Sequence, residues 1–282
     1  MPASPSSSVQ AARRAVADRL REIRRDANLT ASDVAERTGW YKSKVSRLEN
    51  AVTPPSDDDV RAWCSACEAD GLAADLIAAS RSADSMYVEW RRLQRTGLRR
   101  LQESYLPLFE RTKVFRIYCS NVVPGMLQTE GYARALLGSI AAFRETPNDV
   151  SEAVAARVER SRIIREGNHR FALLVEESVL RHRVGGAEVM AGQLGYLLSV
   201  MALPSVSLGV IPFSADRRMW MLETFSVYDE VQAQVELLTA QVNVSAPSEV
   251  EQYLKAFTEF SKLAVYGAAA RARITAAIDA LE

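Results

Sequence analysis

The sequence has 282 residues, which is enough for two domains of ordinary size. With 48% hydrophobic and 25% charged residues, its composition is typical of a folded globular protein and excludes a disordered or fibrous chain. No segment approaches the roughly 18 consecutive apolar residues of a membrane helix, and the first residues lack the basic and apolar parts of a signal peptide. We therefore expect a cytoplasmic protein that has no membrane partner.

Charge and cysteine content narrow the function further. The 35 basic residues balance the 35 acidic residues, so any binding to DNA must depend on local positive charge. Three cysteines cannot make a disulfide framework, and two histidines leave few options for a metal site. We therefore expect no metal and no cofactor. Cys64 and Cys67 lie close together in a predicted helix, which is more typical of core packing than of a redox switch.

The N-terminal part of the chain has helical patterning after a polar start. Residues 1–8 are rich in Ser, Pro and Ala without periodicity, which predicts a flexible tail. Apolar residues then recur at helical spacing over about 9–27. Further on, Ser56 supplies an N-cap for a fourth helix, and another helix is expected around 72–79. Residues 9–80 are therefore predicted to form a mainly α domain.

The segment LTASDVAERTGWYKSKVSRLENA, which ends at Ala51, has the pattern of a helix-turn-helix. Thr30 can cap the first of its two helices, and Gly39 stands where the turn needs a residue tolerant of positive φ. The small side chain of Ala35 permits the two helices to cross closely. Apolar side chains stand at the positions that must face the core: Val34, Trp40, Val45 and Leu48.

The second helix of this motif leaves hydrogen-bond donors on its outer face. Such donors suit phosphate groups and the base edges of the major groove. The donors are Tyr41, Lys42, Ser43, Lys44, Ser46 and Arg47. The pattern therefore predicts a helix-turn-helix that binds double-stranded DNA; the alternative is a small helical bundle with a few surface cations.

The segment LTASDVAERTGWYKSKVSRLEN resembles the Cro and phage-repressor (Xre) family of helix-turn-helix proteins, and the resemblance covers about residues 12–80. It implies that the DNA bases are contacted by Lys42, Ser43 and Arg47. The resemblance also implies that Lys44 and Asn50 contact the DNA backbone. We expect further backbone contacts from Tyr41 and Ser46.

The resemblance also implies a buried ion pair between Arg24 and Glu49, which has a structural role. Two positions depart from the family pattern. Ala31 stands where many relatives have a glutamine that contacts phosphate, and Ala51 stands where a glycine usually follows the helix. Because one such unit buries little surface, these proteins usually act as dimers on pseudo-palindromic sites. We therefore expect a homodimeric, sequence-specific transcriptional regulator.

The rest of the chain is predicted to be a connecting helix over 81–104 and an α+β domain over 105–282. Helices are expected after Pro124 and Gly125, at about 149–166 and 187–201, and near the C-terminus, where Gly267 interrupts the helical pattern. Strands are expected at 114–123, 170–176, 206–213, 224–228 and 232–240. We see no β-α-β-α alternation of the kind that indicates a nucleotide-binding sheet.

From residue 85 onward the chain resembles a group of Xre-type regulators from high-GC bacteria whose C-terminal domain carries a VPGLLQT-like motif, here VPGMLQT. That group has no established enzymatic activity in this domain, is often compared to antitoxins, and is linked with a small neighbouring protein. The resemblance implies a domain for dimerisation and for sensing a small protein partner or a small-molecule effector. The alternative is an antitoxin-like module that neutralises a partner and regulates its own synthesis through its DNA-binding domain.

The second half shows no catalytic constellation, so we expect that the protein is not an enzyme. His169 and His182 have no nucleophile or orienting carboxylate arranged around them in the sequence. Several aromatic and turn residues are instead candidates for a ligand or partner pocket, although each could equally belong to the core. The pocket candidates are Trp90, Tyr105, Tyr118, Pro124, Gly125, Met126 and Leu127.

Overall fold

The structure is a computed structural model that describes residues 5–82 and 87–281. The chain divides into two compact units. The first unit extends to Tyr87 and includes a later segment, Asn243–Val250, whereas the second unit consists of Val88–Val242 and Glu251–Glu282. Within the described residues, no helix is both long and apolar enough to cross a membrane.

The first unit is helical, as the sequence predicts. Its helices are α1 (Pro5–Asp26), α2 (Ala31–Thr38), α3 (Lys42–Glu49), α4 (Asp57–Ala66) and α5 (Ala73–Ser82). The prediction of a flexible tail over 1–8 is wrong for residues 5–8, because α1 already begins at Pro5, a residue type well suited to the first turn of a helix. Residues 1–4 of that predicted tail lie outside the described residues.

Trp63 lies at the centre of the first unit. Its ring is completely buried, and its indole Nε1 donates to the carbonyl of Leu20 at 3.0 Å, so the one polar atom of the ring is satisfied. Val34 and Leu48 belong to the same apolar cluster. This shared core connects α1, α2, α3 and α4, and it gives α3 a fixed position on its neighbours.

The predicted connecting helix over 81–104 is wrong. Residues 81 and 82 still belong to α5, and 83–86 lie outside the described part of the chain. The residues that follow include a short strand and two short helices: β1 (Tyr87–Glu89), α6 (Trp90–Leu93) and α7 (Leu98–Ser104). Gly97 interrupts the helical run because its backbone has φ +101°, a conformation that residues with a side chain rarely adopt. The side-chain carboxylate of Asp149 then accepts hydrogen bonds from the backbone N–H groups of Leu98 and Arg99 and caps α7.

The second part of the chain contributes strands to a sheet of seven, counted over the described residues. The remaining strands are β2 (Val114–Cys119), β3 (Arg170–Glu176), β4 (Val206–Ile211), β5 (Phe225–Tyr228), β6 (Gln232–Glu236) and β7 (Ala240–Val244). Their order in the sheet is β1-β7-β6-β5-β2-β3-β4. The strand predicted over 232–240 is thus two strands, because the chain turns after Glu236.

The sheet is mixed, which agrees with the α+β class, but one expectation about its topology is wrong. β2 pairs with β3 and β3 with β4 in parallel, whereas β2 pairs with β5 and β5 with β6 in antiparallel. Helices connect the parallel strands, namely α9 (Glu130–Arg144), α10 (Val150–Arg160), α11 (Glu177–Arg181) and α12 (Ala187–Val200). A β-α-β-α-β alternation is therefore present, because parallel neighbours require crossover connections.

The main core of the second unit is built on β2, β3 and β4. Phe115 of β2 stacks on Phe171 of β3 with ring centroids 4.8 Å apart, and both rings are buried. The near-continuous apolar run of β3 is typical of a parallel strand covered on both faces. The helices that complete the fold are α8 (Leu106–Arg111), α13 (Pro247–Leu263) and α14 (Gly267–Asp279). The predicted interruption near Gly267 is confirmed by the break between the last two.

Candidate functional site

The turn between α2 and α3 has the geometry that the motif requires. At the start of α2, Asp33 N–H donates to the Thr30 hydroxyl at 3.2 Å, and Thr30 N–H donates to the Asp33 carboxylate at 2.7 Å. This reciprocal pair is a capping box. At the other end, Gly39 has φ +69° and donates from its N–H to carbonyls of the last turn of α2. The chain can therefore reverse direction sharply before Tyr41.

The two faces of α3 differ in burial. Val45 and Leu48 are buried against the first unit's core, and Val34 of α2 is fully buried opposite them. Ala35, the small residue of the motif, is also buried. Packing of these positions fixes the rotation of α3 about its axis, so that Lys42, Ser43, Ser46 and Arg47 are turned to solvent.

Three residues on the exposed face of α3 are the predicted base contacts. Lys42, Ser43 and Arg47 are all exposed. Within the described part of the chain, neither Lys42 nor Arg47 forms an ion pair with a carboxylate. Tyr41, at the N-cap of α3, is 86% exposed, so its hydroxyl is also accessible. The charge and the donors of this face are thus available to a partner.

The residues predicted to contact the DNA backbone have intramolecular roles as well. Lys44 Nζ lies 2.5 Å from Asp59 Oδ1 and 4.1 Å from the centroid of the Trp40 ring. Asn50 Nδ2 donates to the carbonyl of Ser46 at 2.8 Å and to its hydroxyl at 3.3 Å. Lys44 therefore connects α3 to α4, and Asn50 satisfies a carbonyl at the C-terminal end of α3.

Arg24 and Glu49 form the ion pair that the resemblance implies. Arg24 Nε lies 2.6 Å from Glu49 Oε1, and Arg24 Nη2 lies 3.2 Å from Glu49 Oε2, so the pair is bidentate. Glu49 is buried, and Arg24 Nη1 also donates to the carbonyl of Leu29 at 2.8 Å. Arg21 adds a hydrogen bond to the backbone carbonyl of Glu49. These contacts hold the C-terminal end of α3 against α1.

The two departures from the family pattern have different structural consequences. Ala51 has φ +55°, the left-handed conformation for which relatives use glycine, and alanine adopts it at a cost of roughly 1 kcal/mol. Ala31 is partly buried and packs against the core, so its methyl group offers no hydrogen bond to a phosphate. The structure thus accommodates Ala51 with local strain. At position 31, the side chain has no donor to replace the glutamine that would contact a phosphate.

Five of the predicted pocket residues line a cavity of about 510 Å³ in the second unit: Trp90, Tyr105, Pro124, Gly125 and Met126. The structure places Tyr118 and Leu127 elsewhere. Tyr118 is buried in parallel stacking on Phe260 at 4.2 Å, and its hydroxyl donates to Glu176 at 2.8 Å. Leu127 is fully buried in the main core. Neither of these two side chains lines the cavity.

Cys64, Cys67 and His169 have structural contacts through their side chains, whereas the side chain of His182 forms no hydrogen bond among the described residues. Cys64 and Cys67 are buried in the core of the first unit, which confirms the packing interpretation. Burial raises the pKa of Cys64 to about 11, so its thiol is protonated and unreactive at neutral pH. His169 Nδ1 lies 2.7 Å from the carbonyl of Thr112, and its ring lies against Phe115. His182 is exposed.

Two arginines of α10 belong to the cavity wall, although no pattern in the sequence points to them. Arg157 and Arg160 both line the cavity, and Arg160 is only 8% exposed. In the segment AARVERSR they look like the solvated face of a charged helix, which is the usual meaning of such a run. Their burial depends on contacts with Gln102 and Tyr105, which are distant in sequence, so no local signal could have revealed it.

Comparisons with known protein families assign the N-terminal and C-terminal parts of the chain to different families. Residues 15–76 match the family described as Helix-turn-helix domain, which indicates a DNA-binding regulator. Residues 103–276 match the family described as Domain of unknown function (DUF5753). No curated protein and no solved structure matches the chain. Since the second match covers more than half of the sequence, the chain belongs to the DUF5753 family.

Proposed function

We propose that this protein is a sequence-specific transcriptional regulator of the Xre type, which binds a pseudo-palindromic DNA site as a homodimer. In this proposal Lys42, Ser43 and Arg47 contact bases in the major groove. Tyr41 and Asn50, together with Lys44 and Ser46, contact the DNA backbone. The DUF5753 domain receives a signal that changes the affinity for DNA.

One observation supports DNA binding above all others. The buried side chains of α3 are Val45, Leu48 and the paired Glu49, whereas the exposed face carries Lys42 and Arg47 without ion-pair partners among the described residues. Cations that form ion pairs within a protein must give up those ion pairs to bind DNA. Lys42 and Arg47 form none with the described residues, so they can bind DNA without that loss. Guanidinium and ammonium groups are well suited to guanine O6 and N7.

Substitution of Arg47 tests the base contact. We expect Arg47→Ala to weaken binding to the preferred duplex by about 1–3 kcal/mol per half-site, with a much smaller effect on random DNA. The preferred duplex is first selected from random sequences with the full chain, and both affinities are then measured by gel shift at one salt concentration. Arg218→Ala is the control, because Arg218 is an exposed arginine of the second unit. Equal loss on both duplexes contradicts base reading by Arg47.

The homodimer has its own test. Light scattering of the full chain should give twice the chain mass of 31.2 kDa, and the selected site should show two half-sites one turn of DNA apart, about 34 Å. A monomer that binds a single undivided site contradicts the dimeric part of the proposal and leaves the assignment of α3 intact.

The alternative is an antitoxin-like module whose main task is to neutralise a small protein partner. It is supported by apolar side chains that are more than half exposed on the segment between β4 and β5: Phe213, Trp220 and Met221. Co-expression with the product of the neighbouring reading frame distinguishes the two functions. A stable stoichiometric complex that abolishes the toxicity of that product favours the antitoxin function. If no complex forms and no toxicity is abolished, the result favours the sensing regulator.

We also propose that the protein is not an enzyme. The support is the lack of a nucleophile and base at catalytic spacing in the sequence of the second domain. Turnover of any substrate by the purified full chain would contradict this part of the proposal.

A further inference from the structure

The cavity of the second unit is strongly basic. Arg157 and Arg160 extend into its wall from α10, and Arg144 reaches it from α9. The guanidinium of Arg144 lies 4.8 Å from the centroid of the Trp90 ring, which is also part of the wall. Among the described residues that line the cavity, the only carboxylate is that of Glu236, whose side chain is exposed. The cavity therefore has an excess of positive charge.

The hydrogen bonds of the two α10 arginines go to neutral groups. Arg157 donates from Nε to Gln102 Oε1 at 2.9 Å and from Nη1 to Gln128 Oε1 at 2.6 Å. Arg160 donates from Nη1 to the backbone carbonyl of Gln102 at 3.2 Å. Neither guanidinium forms an ion pair with a described carboxylate. Neutral acceptors position the two groups but do not compensate their charge.

Of the two arginines, Arg160 donates fewer hydrogen bonds. It is more than nine-tenths buried, and its Nε has no hydrogen-bond partner among the residues that the structure describes. The rings of Tyr105 and Phe109 lie 4.8 Å and 4.9 Å from the guanidinium carbon, which offers cation–π attraction but no counter-charge. Burial and the neighbouring Arg160 lower the pKa of Arg157 to about 10, so the two cations destabilise each other. An anion between them would remove that cost.

The VPGMLQT segment shapes this part of the cavity. Gln128 donates from Nε2 to the carbonyl of Val123 at 2.7 Å, which fixes its amide so that Oε1 faces Arg157. Gly125 leaves open space in front of Arg160, since a side-chain carbon placed there would lie 3.8 Å from Arg160 Nη2. The motif thus orients one arginine and keeps the other accessible.

The remainder of the wall is largely apolar. It includes Leu98, Leu101 and Ile140 with the ring of Trp90. A further polar atom, Gln94 Oε1, is buried and has no hydrogen-bond partner among the described residues. The volume of about 510 Å³ lies within the range of roughly 300–1,000 Å³ that is usual for small-molecule sites.

We propose that this cavity binds a small organic anion, whose carboxylate or phosphate group lies against Arg157 and Arg160 and whose apolar body lies on the Trp90 side of the cavity. This assignment specifies the signal in the proposed regulatory function, but the binding itself does not depend on DNA. An isolated inorganic ion would leave the apolar wall unused, and a neutral ligand would leave Glu236 as the only described carboxylate of the cavity wall that acts on the two arginines.

Direct binding to the full chain tests the proposal. The probes are phenylacetate, phenyl phosphate, inorganic phosphate and the neutral analogue phenylacetamide, measured by calorimetry and by the shift in melting temperature. We expect phenylacetate, phenyl phosphate or both to bind at least 10-fold more tightly than phenylacetamide and inorganic phosphate, because hydrogen bonds to charged groups are the stronger kind. Binding of phenylacetate alone identifies a carboxylate ligand, and binding of phenyl phosphate alone identifies a phosphate ester.

Variants locate the site. Arg160→Gln and Arg157→Gln should each weaken binding of the anion 10-fold or more. Arg162→Gln is the matched control, since Arg162 follows on the same segment but is exposed and pairs with Glu159. Gly125→Leu retains both arginines and fills the space in front of Arg160, so it should abolish binding even if an arginine variant fails to fold. Equal binding of phenylacetamide, failure of both organic anions, or unchanged affinity in Gly125→Leu overturns the proposal; none of these results bears on DNA binding.

Discussion

Glu49 shows how one residue can stabilise a recognition surface without belonging to it. Its carboxylate faces the first unit's interior, where Arg24 satisfies both oxygens and Arg21 binds the backbone carbonyl beside it. The residue is buried, so the ion pair is shielded from solvent and from salt. Removal of either partner would leave an uncompensated charge in a poorly solvated place, which is more costly than loss of a surface pair.

Glu49→Ala should therefore destabilise the first unit by about 3 kcal/mol, the lower end of the range for a broken buried pair. Hydrogen exchange of amides in the first unit is the suitable measurement, because a chain with two units does not have a single free energy of unfolding. Glu22→Ala is the control, since Glu22 pairs with Arg19 on the exposed side of α1 and should change stability by about 0.5 kcal/mol or less. Equal effects of the two substitutions would show that the buried pair has no special role.

At the scale of elements, the beginning of α4 illustrates how a cap becomes a tertiary contact. Ser56 and Asp59 form a capping box, in which each side chain accepts from the other's backbone N–H. The same Asp59 carboxylate pairs with Lys44 of α3. One side chain therefore satisfies the N-terminus of α4 and holds α3, so the orientation of the candidate DNA-binding face depends on its charge.

The pH dependence of stability follows from this arrangement. Burial by itself raises the pKa of Asp59, but hydrogen bonds from Lys44 and Ser56 outweigh it, and the pKa is lowered overall. A carboxylate with a lowered pKa stabilises the folded state above its unfolded pKa of about 4 and loses that contribution as the pH falls through its folded value.

Asp59→Asn should therefore melt below the wild type at pH 7, and the difference should shrink as the pH falls below about 4 and vanish once the pH passes the lowered pKa of the folded state. The melting temperature of the first unit, recorded from pH 7 to pH 3 for both proteins, measures this difference. Asp58→Asn is the matched control, because Asp58 is exposed on the same turn. A difference that persists unchanged at pH 3 would attribute the effect to shape and not to charge.

At the scale of the whole molecule, the two proposed sites lie in different units: α3 in the first and the arginine-lined cavity in the second. A sensing regulator requires that occupancy of one site changes the affinity of the other. Such coupling is reciprocal by thermodynamic necessity, and typical values are 5–150-fold.

We therefore expect that the organic anion that binds best changes the affinity for the selected duplex by at least about 5-fold, and that the duplex changes the affinity for the anion by the same factor. Both affinities are measured at one salt concentration, with Gly125→Leu as the control in which the anion has no effect. If each ligand binds and neither affects the other, both sites stand and the sensing role is wrong.

Local patterns were sufficient for much of this protein. The helix-turn-helix could be predicted because it depends on short-range requirements: a capping threonine at position 30, a glycine with positive φ at position 39 and apolar residues at helical spacing. The strands at 170–176 and 206–213 were also close to β3 and β4, since buried parallel strands are continuous apolar runs. The prediction of a connecting helix was wrong because a helical pattern of charges cannot reveal that Gly97 has a positive φ.

The sequence by itself determined the helix-turn-helix of the first unit, the class of the second, and the donors on the exposed face of α3. Only the tertiary structure decided the order of strands, which arises from pairing between segments far apart in the chain. It also decided that Tyr118 packs on Phe260 and lies outside the cavity, whereas Arg157 and Arg160 lie within it. The physical reason is that burial of a charged or aromatic side chain depends on the neighbours that enclose it, and here those neighbours, such as Gln102 and Tyr105, come from other elements.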